Sequence, residues 1–245
     1  MHSKQIILDG VYNVRDLSSI KNKEGFYIKK NKLIRGSRLF EASHNDLRKL
    51  YEDYDVRMIF DFRGSVEKYE EPDKTYKDEK YFDIIVQEES YYGVSMDSLS
   101  KKKKEYFEKL NKEMKNEDFM IKHMCEFYYS MAEEFSCLQY GKYLKLLLNN
   151  DGGAYLHCSL GRDRSGIATA LILECLDVDR EDIYEDYVYT NVCTKGLDID
   201  LAYRVYLESY YQAINDRYGS VDNMFKFMGI FEKEKQLLKE KYLEK

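Results

Sequence analysis

The amino-acid sequence predicts an α/β domain in which helices cover a central sheet. Three observations predict it. Short β-rich stretches are interspersed with helical ones in the first half of the chain, and the second half is mostly helical in pattern. One local unit, spanning residues 154–176, reads as strand, glycine-containing loop and buried helix, the unit that packs a helix back onto a sheet. The 245 residues are 44% hydrophobic and 34% charged, enough for a real core, and this length favours a single domain over residues 1–245. One proline, Pro72, and 13 glycines argue against long linkers or disordered tails.

The elements follow in order. Gly25-Phe26-Tyr27-Ile28 and Leu33-Ile34-Arg35-Gly36-Ser37 flank a polar Lys-Lys-Asn-Lys turn and predict a hairpin. Ser43, with Asp46 three residues on, resembles a capping box that opens a helix ending near Tyr54. Val56 to Phe62 reads as a buried strand, and Tyr81 to Val86 as a second. Residues 98–118 are highly charged and helical in character. From Phe119 to Leu148 apolar residues recur at helical spacing, which puts Met124, Phe127, Tyr128, Met131 and Phe135 on the core side, with Gly141 dividing the run in two. Gly152-Gly153 breaks the pattern before the strand Ala154-Tyr155-Leu156-His157. Ser165 to Leu176 is apolar almost all round and predicts a helix buried on most sides. Asp179 and Asp182 cap the next helix. A long amphipathic helix runs from about Leu197 to Tyr218 and stops at Gly219. Ser220 opens a short helix that Gly229 ends, and Phe231 to Leu243 forms the last.

Composition removes several functions. A net charge of -6 with interspersed signs gives no basic stripe for nucleic acid. The one basic run, Lys101 to Lys104, lies among Glu105, Glu108, Glu113, Glu117 and Asp118 and reads as a solvated helix face. The five cysteines (125, 137, 158, 175 and 193) are odd in number and lack zinc-ligand spacing. Met1 to Gly10 lacks a signal-peptide pattern, and no run approaches the roughly 18 apolar residues of a membrane span. Reduced thiols in a cytoplasm-like setting are expected. The pattern says nothing about oligomeric state.

The chemistry concentrates in His157-Cys158-Ser159-Leu160-Gly161-Arg162-Asp163-Arg164-Ser165-Gly166. A phosphate dianion needs fixed hydrogen-bond donors, and a strand–loop–helix turn supplies inward backbone N–H groups and the positive end of a helix. That turn makes Ser159, Leu160, Gly161, Arg162, Asp163 and Arg164 the expected phosphate-binding residues. Gly161 permits the tight turn, and Gly166 lets the helix start pack closely. Arg164, six residues after Cys158, can grip two phosphate oxygens at once. The same field lowers a thiol from its usual value near 8.5, so Cys158 is expected to be a thiolate nucleophile. Ser165 is placed to hydrogen-bond that sulfur, and His157 to orient the loop. Asp163 is the first choice for the general acid, with Asp61, Asp97 and Asp118 as weaker candidates. This chemistry needs no metal and no cofactor.

On these residues the chain resembles the bacterial and fungal tyrosine-phosphatase family whose loop reads HCxxGKDRTG, including secreted bacterial enzymes that act on phosphotyrosine and phosphoinositides. The resemblance spans nearly the whole chain. Asn13-Val14-Arg15-Asp16-Leu17 is similar to the family's opening NFRDLGG, and Leu33 to Leu39 to its LYRS-type element. Ile59 to Arg63 with Glu67 is similar to its IDLR…E strand. Leu176 to Ile183, with Asp186-Tyr187 and Thr190-Asn191, is similar to a downstream helix, and Tyr218-Gly219-Ser220-Val221 to the C-terminal signature. The resemblance implies a cysteine-phosphatase fold with a mainly parallel sheet of four to five strands. It also implies nucleophile Cys158, phosphate clamp Arg164 and loop acid Asp163. Residues 98–130 fall where some members carry helices over the active site, so a helical, lid-like insertion is expected there. Three departures stand out. Ser18-Ser19 replaces the trailing glycines, Arg162 the usual lysine, and Ser165 a threonine.

The remaining residues divide between scaffold and site. Arg15, Asp16, Asp61 and Arg63 either form a buried ion network behind the loop or touch substrate; the network is the favoured reading, since buried charges must be paired, with Arg35 and Arg38 as further members. Cys125, Cys137, Cys175 and Cys193 read as core thiols; His2, His44 and His123 receive no role. The expected substrate is a phosphorylated protein carrying phosphotyrosine. A phosphoinositide or dual-specificity activity is the rival within the class, because Arg162 beside Arg164 suits a polyanionic headgroup. A phosphate-binding module without turnover is the rival outside it.

Overall fold

The computed structural model describes residues 4–87, 112–113, 115–149, 151–197 and 201–245. Its main sheet has six strands in the order β1-β2-β4-β7-β5-β6. These are β1 (Lys4–Gln5), β2 (Arg15–Asp16), β4 (Leu33–Gly36), β5 (Val56–Asp61), β6 (Lys80–Asp83) and β7 (Gly153–His157). The four strands β4, β7, β5 and β6 run parallel, and β2 and β1 add on antiparallel at one edge. The expected mixed α/β architecture holds. The sheet is larger than the expected four to five strands because two-residue pairings, too short to carry a periodic signal, extend it.

The inner parallel strands β4, β7 and β5 are buried on both faces, and alternate residues serve different layers. Leu33, Met58, Phe60, Ala154 and Leu156 join the larger core, beneath α5 (Arg164–Cys175), α4 (Glu134–Leu147) and the C-terminal helices. Ile34, Ile59 and Tyr155 face the opposite layer, where α1 (His44–Glu52) contributes Leu47 and Leu50. The capping box at Ser43 and Asp46 is present. The strand ends are level: Gly36 and Asp61 both pair with His157 in register, and Asp61 pairs with Asp83. The turn after His157 therefore leaves the sheet at the carboxyl edge of the parallel strands, where open α/β sheets bind ligands.

Three local expectations are corrected. The 25–37 hairpin does not form; β3 (Tyr27–Ile28) pairs instead with β8 (Leu243–Glu244), at the far end of the chain. The helical run from 119 breaks at Met131–Glu133, not at Gly141, giving α3 (Glu117–Ser130) and then α4. Gly141 sits inside α4 because a Cβ there would lie 2.9 Å from Met228. Phe135 accordingly belongs to the next helix and is half exposed. The long amphipathic helix, α7 (Arg204–Tyr218), begins later than expected and ends on Gly219 with φ 78°. It packs against α3, while α6 (Arg180–Cys193), capped by Asp179, packs against α5. The chain closes with α8 (Val221–Phe227) and α9 (Glu232–Tyr242). The short α2 (Ser65–Glu70) follows β5. Among the described residues, no helix is long and apolar enough to cross a membrane. Lys101 to Lys104 and Asp97 lie outside the described residues.

Candidate active site

The loop from Cys158 to Asp163 closes between β7 and α5, and its carbonyls are drawn outward. The Asn13 side chain donates to the carbonyls of Leu160 and Gly161, at 3.1 and 3.0 Å. Arg35 Nη2 donates to the carbonyls of Gly161 and Arg162, at 2.9 and 3.2 Å. The backbone N–H of Arg38 donates to Ser159, and the Tyr140 hydroxyl to Arg164. A peptide's N–H points opposite to its C=O, so drawing the carbonyls out turns the N–H groups toward the loop's centre. Gly161 has φ 67°, and a Cβ there would lie 2.2 Å from the Gly36 carbonyl oxygen. At Gly166 a Cβ would press on Arg35 Nη2 at 3.1 Å and on the Tyr187 ring. Both glycines are thus fixed by close approach.

Cys158 lies at the base of this cradle, buried, with its Sγ 3.5 Å from Ser165 Oγ. Burial alone pushes the thiol up, and Asp163 adds to that. The Arg164 charge and the Ser165 hydroxyl and N–H outweigh them, leaving the thiol below its ordinary value.

Arg164 does not hang free. Its two terminal nitrogens grip the carboxylate of Glu67 in a fork, Nη2 to Oε1 at 2.8 Å, and the Ser159 hydroxyl donates to the same carboxylate. Glu67 comes from α2 and is itself buried. Burial raises its carboxyl, but Arg164 overcomes this and holds it below the usual carboxylate range. The guanidinium is thereby fixed in orientation before any phosphate arrives, and its Nε–H faces no hydrogen-bond partner among the described residues.

The expected single ion network behind the loop is two networks. In the first, Asp186 of α6 accepts from Arg15 Nε at 3.0 Å and from Arg35 Nη1 at 2.8 Å. Arg15 Nη1 also donates to the Asn13 side chain at 2.6 Å. Each of these residues reaches the loop through Asn13 or Arg35. In the second, Arg63 binds Asp61 at 2.8 Å and Asp73 at 2.9 Å, and His157 Nε2 lies 3.1 Å from Asp73. The Tyr81 hydroxyl joins both carboxylates. Asp61, Asp73 and His157 bring three ligand atoms together as a cation site would. Arg63 already stands on both carboxylates, and the Asp61 and Asp73 charges raise the His157 ring despite its burial. Arg63 thus already supplies a positive charge to both carboxylates. Asp16 belongs to neither network: it accepts the N–H groups of Ser18 and Asn31 and organises a turn. Arg38 pairs at the rim with Glu41 and Glu71.

Asp163 is the N-cap residue of α5, and its Oδ1 accepts two bonds of 2.8 Å, from Arg162 Nε and from the Tyr128 hydroxyl. Tyr128 meets the Tyr187 hydroxyl at 2.7 Å. The Arg162 side chain is turned inward and only 4% exposed. The other acid candidates stand elsewhere. Asp61 is locked between Arg63 and Tyr81, and Asp118 is exposed in the first turn of α3.

The chain matches the family model described as "Tyrosine phosphatase family" over residues 6–244. It belongs to the tyrosine phosphatase family. A protein of Cupriavidus necator provisionally named as a tyrosine-protein phosphatase is 25% identical, over 89% of this chain and 81% of that protein.

Several residues around the loop of this tyrosine phosphatase escaped the sequence reading. Glu67, Asp73, Tyr81, Tyr128 and Asp186 reach the site from distant segments, and of these five only Glu67 and Asp186 stand in stretches marked by the family resemblance. The remaining cysteines were expected in the core. Cys137, Cys175 and Cys193 are buried there, and Cys125 is half-buried. Burial pushes the Cys137 thiol up to about 11 and raises Cys175 and Cys193 as well. Iodoacetate near pH 6 is therefore expected to label Cys158 ahead of these three, and phosphate to protect it. The sign follows from the lowered Cys158 thiol: its thiolate persists as pH falls, so its lead over Cys137, Cys175 and Cys193 grows toward acid. Peptide mass spectrometry measures the order, and equal labelling of all four would refute the thiolate.

Proposed function

We propose that this tyrosine phosphatase hydrolyses phosphotyrosine in proteins through a phosphocysteine intermediate, without a metal ion. The observation that carries this reading is the depressed Cys158 thiol at the base of a loop whose Arg164 is already oriented by Glu67. The Cys158 thiolate donates its electron pair to phosphorus and the S–P bond forms. The P–O bond to the tyrosine breaks, and the leaving oxygen takes a proton from Asp163. Water then attacks phosphorus and gives a proton back to the Asp163 carboxylate, and the S–P pair returns to sulfur, where the Ser165 hydroxyl stabilises it. Loop N–H groups and the Arg164 Nε–H hold the phosphoryl oxygens throughout.

Phosphotyrosine is preferred over a phosphoinositide headgroup because Arg162, the cation a headgroup needs, is buried against Asp163. Turnover of p-nitrophenyl phosphate in EDTA is expected to match turnover without it. Loss of turnover in the chelator would overturn metal independence, and tight phosphate binding without turnover would make the protein a binding module. In a panel of phosphopeptides and phosphoinositides, phosphotyrosine peptides are expected to react at least about tenfold faster, since one engaged charge-assisted contact is worth that much. A headgroup preference would reverse the assignment.

A further inference from the structure

We propose that Tyr128, backed by Tyr187, is a positioning residue that fixes which oxygen of Asp163 carries the acid proton. The inference rests on the reading of Asp163 as general acid and adds the device that aims it. Arg162 Nε–H is an obligate donor, and it points at Oδ1 over 2.8 Å. Oδ1 must therefore accept, and a proton on that oxygen would face the guanidinium. The Tyr128 hydroxyl, 2.8 Å away, then donates its one hydrogen to the same oxygen. That leaves the Tyr187 hydroxyl to supply the hydrogen of the 2.7 Å bond between the two tyrosines. The chain of donors runs one way, from Tyr187 to Tyr128 to Oδ1.

With Oδ1 saturated by two donors, the acid proton resides on Oδ2. Among the described residues Oδ2 has no hydrogen-bond partner, and the Asp163 side chain keeps 15% exposure while its neighbour Arg162 keeps 4%. Oδ2 is thus the oxygen presented to a leaving group. Both tyrosines are buried, on helices that reach the loop from different parts of the chain, α3 and α6. Burial, then the Asp163 charge, raises both phenols well above their ordinary value, so each stays a neutral donor.

The test is the leaving-group dependence of kcat/KM, which reports the step that expels the leaving group, for Tyr128→Phe, Asp163→Asn and the double variant, using p-nitrophenyl phosphate and phenyl phosphate. A nitrophenolate departs without help, whereas phenolate needs the acid. Tyr128→Phe is expected to slow phenyl phosphate about tenfold, the effect of one hydrogen bond, and p-nitrophenyl phosphate about twofold or less. Asp163→Asn is expected to show the same bias more strongly. The double variant is expected to be no slower than Asp163→Asn alone, because Tyr128 acts through that carboxyl. If Asp163→Asn slows both esters equally, the acid reading itself falls. If Asp163→Asn discriminates but Tyr128→Phe slows both esters equally, or neither, the positioning role is overturned. Should Tyr128→Phe fold poorly by thermal melting, Tyr187→Phe carries the test. It keeps Tyr128 in place and is expected to show a bias of about threefold toward phenyl phosphate; no bias overturns the proposal.

Discussion

Cys158→Ser is expected to lower turnover of p-nitrophenyl phosphate by roughly 10⁵-fold, a loss in line with removal of other catalytic nucleophiles. A serine hydroxyl fits the same space and can meet Ser165 and the loop, so the cradle should survive. What it lacks is ionisation. The Arg164 charge and the helix end bring a thiol below its ordinary value, but an alcohol starts too far above for the same field to help. Phosphate affinity should not fall with turnover, and should rise somewhat, because the variant no longer sets a thiolate against a dianion. Calorimetric titration with inorganic phosphate measures the second quantity and steady-state assay the first. Turnover within about tenfold of the parent would refute the covalent route. Lost phosphate binding would instead mean that the thiolate holds the loop together.

That expectation draws on the part of the molecule most legible in the sequence. Strand β7, the loop and helix α5 are contiguous, and each signals itself locally: the apolar run of the strand, the glycines of the turn and the all-round hydrophobicity of the helix. Contiguity is why Cys158, Asp163, Arg164 and Ser165 were found together. What encloses them is assembled from far away, and no local period announces it. Glu67 stands 97 residues before Arg164, and Tyr128 stands 35 before Asp163. A glutamate in a short helix of alternating charge looks like any solvated glutamate, yet here it is buried beneath a guanidinium. The misassigned hairpin has the same cause. Tyr27–Ile28 has strand character, but the partner that pairs with it is at residues 243–244, and strand propensity does not name a partner.

Arg162 illustrates a subtler limit. Sequence placed it in the loop beside Arg164 and suggested a second cation for substrate. Whether a long side chain on a tight turn points to substrate or to scaffold depends on which carboxylate its fork reaches first. Asp163, adjacent in the chain and held by Tyr128, is the carboxylate it meets among the described residues.

The second large effect concerns stability. Asp186→Asn is expected to destabilise the fold by about 3–5 kcal/mol, the usual cost of removing one partner from a buried ion pair. Asp186 is the carboxylate shared by two fully buried guanidiniums, Arg15 and Arg35. Burial and the neighbouring Arg15 already press the Arg35 guanidinium below its ordinary value; Asp186 and, more weakly, Cys158 support its charge. An asparagine of the same shape removes the negative charge and turns an NH₂ group toward one of the cations, where donor meets donor. In a domain of this size such a loss lowers the melting temperature by roughly 10 °C or more, readable by circular dichroism. The effect should also reach the site. Arg35 holds the carbonyls of Gly161 and Arg162, and Arg15 holds the Asn13 that secures Leu160 and Gly161. With both guanidiniums loosened, those carbonyls lose the donors that turn them outward, and the N–H groups lose their aim. Phosphate should then bind at least about tenfold more weakly at a temperature where the variant is still folded. A variant that melts with the parent and binds phosphate equally would mean that the two arginines keep the loop's shape without their shared carboxylate.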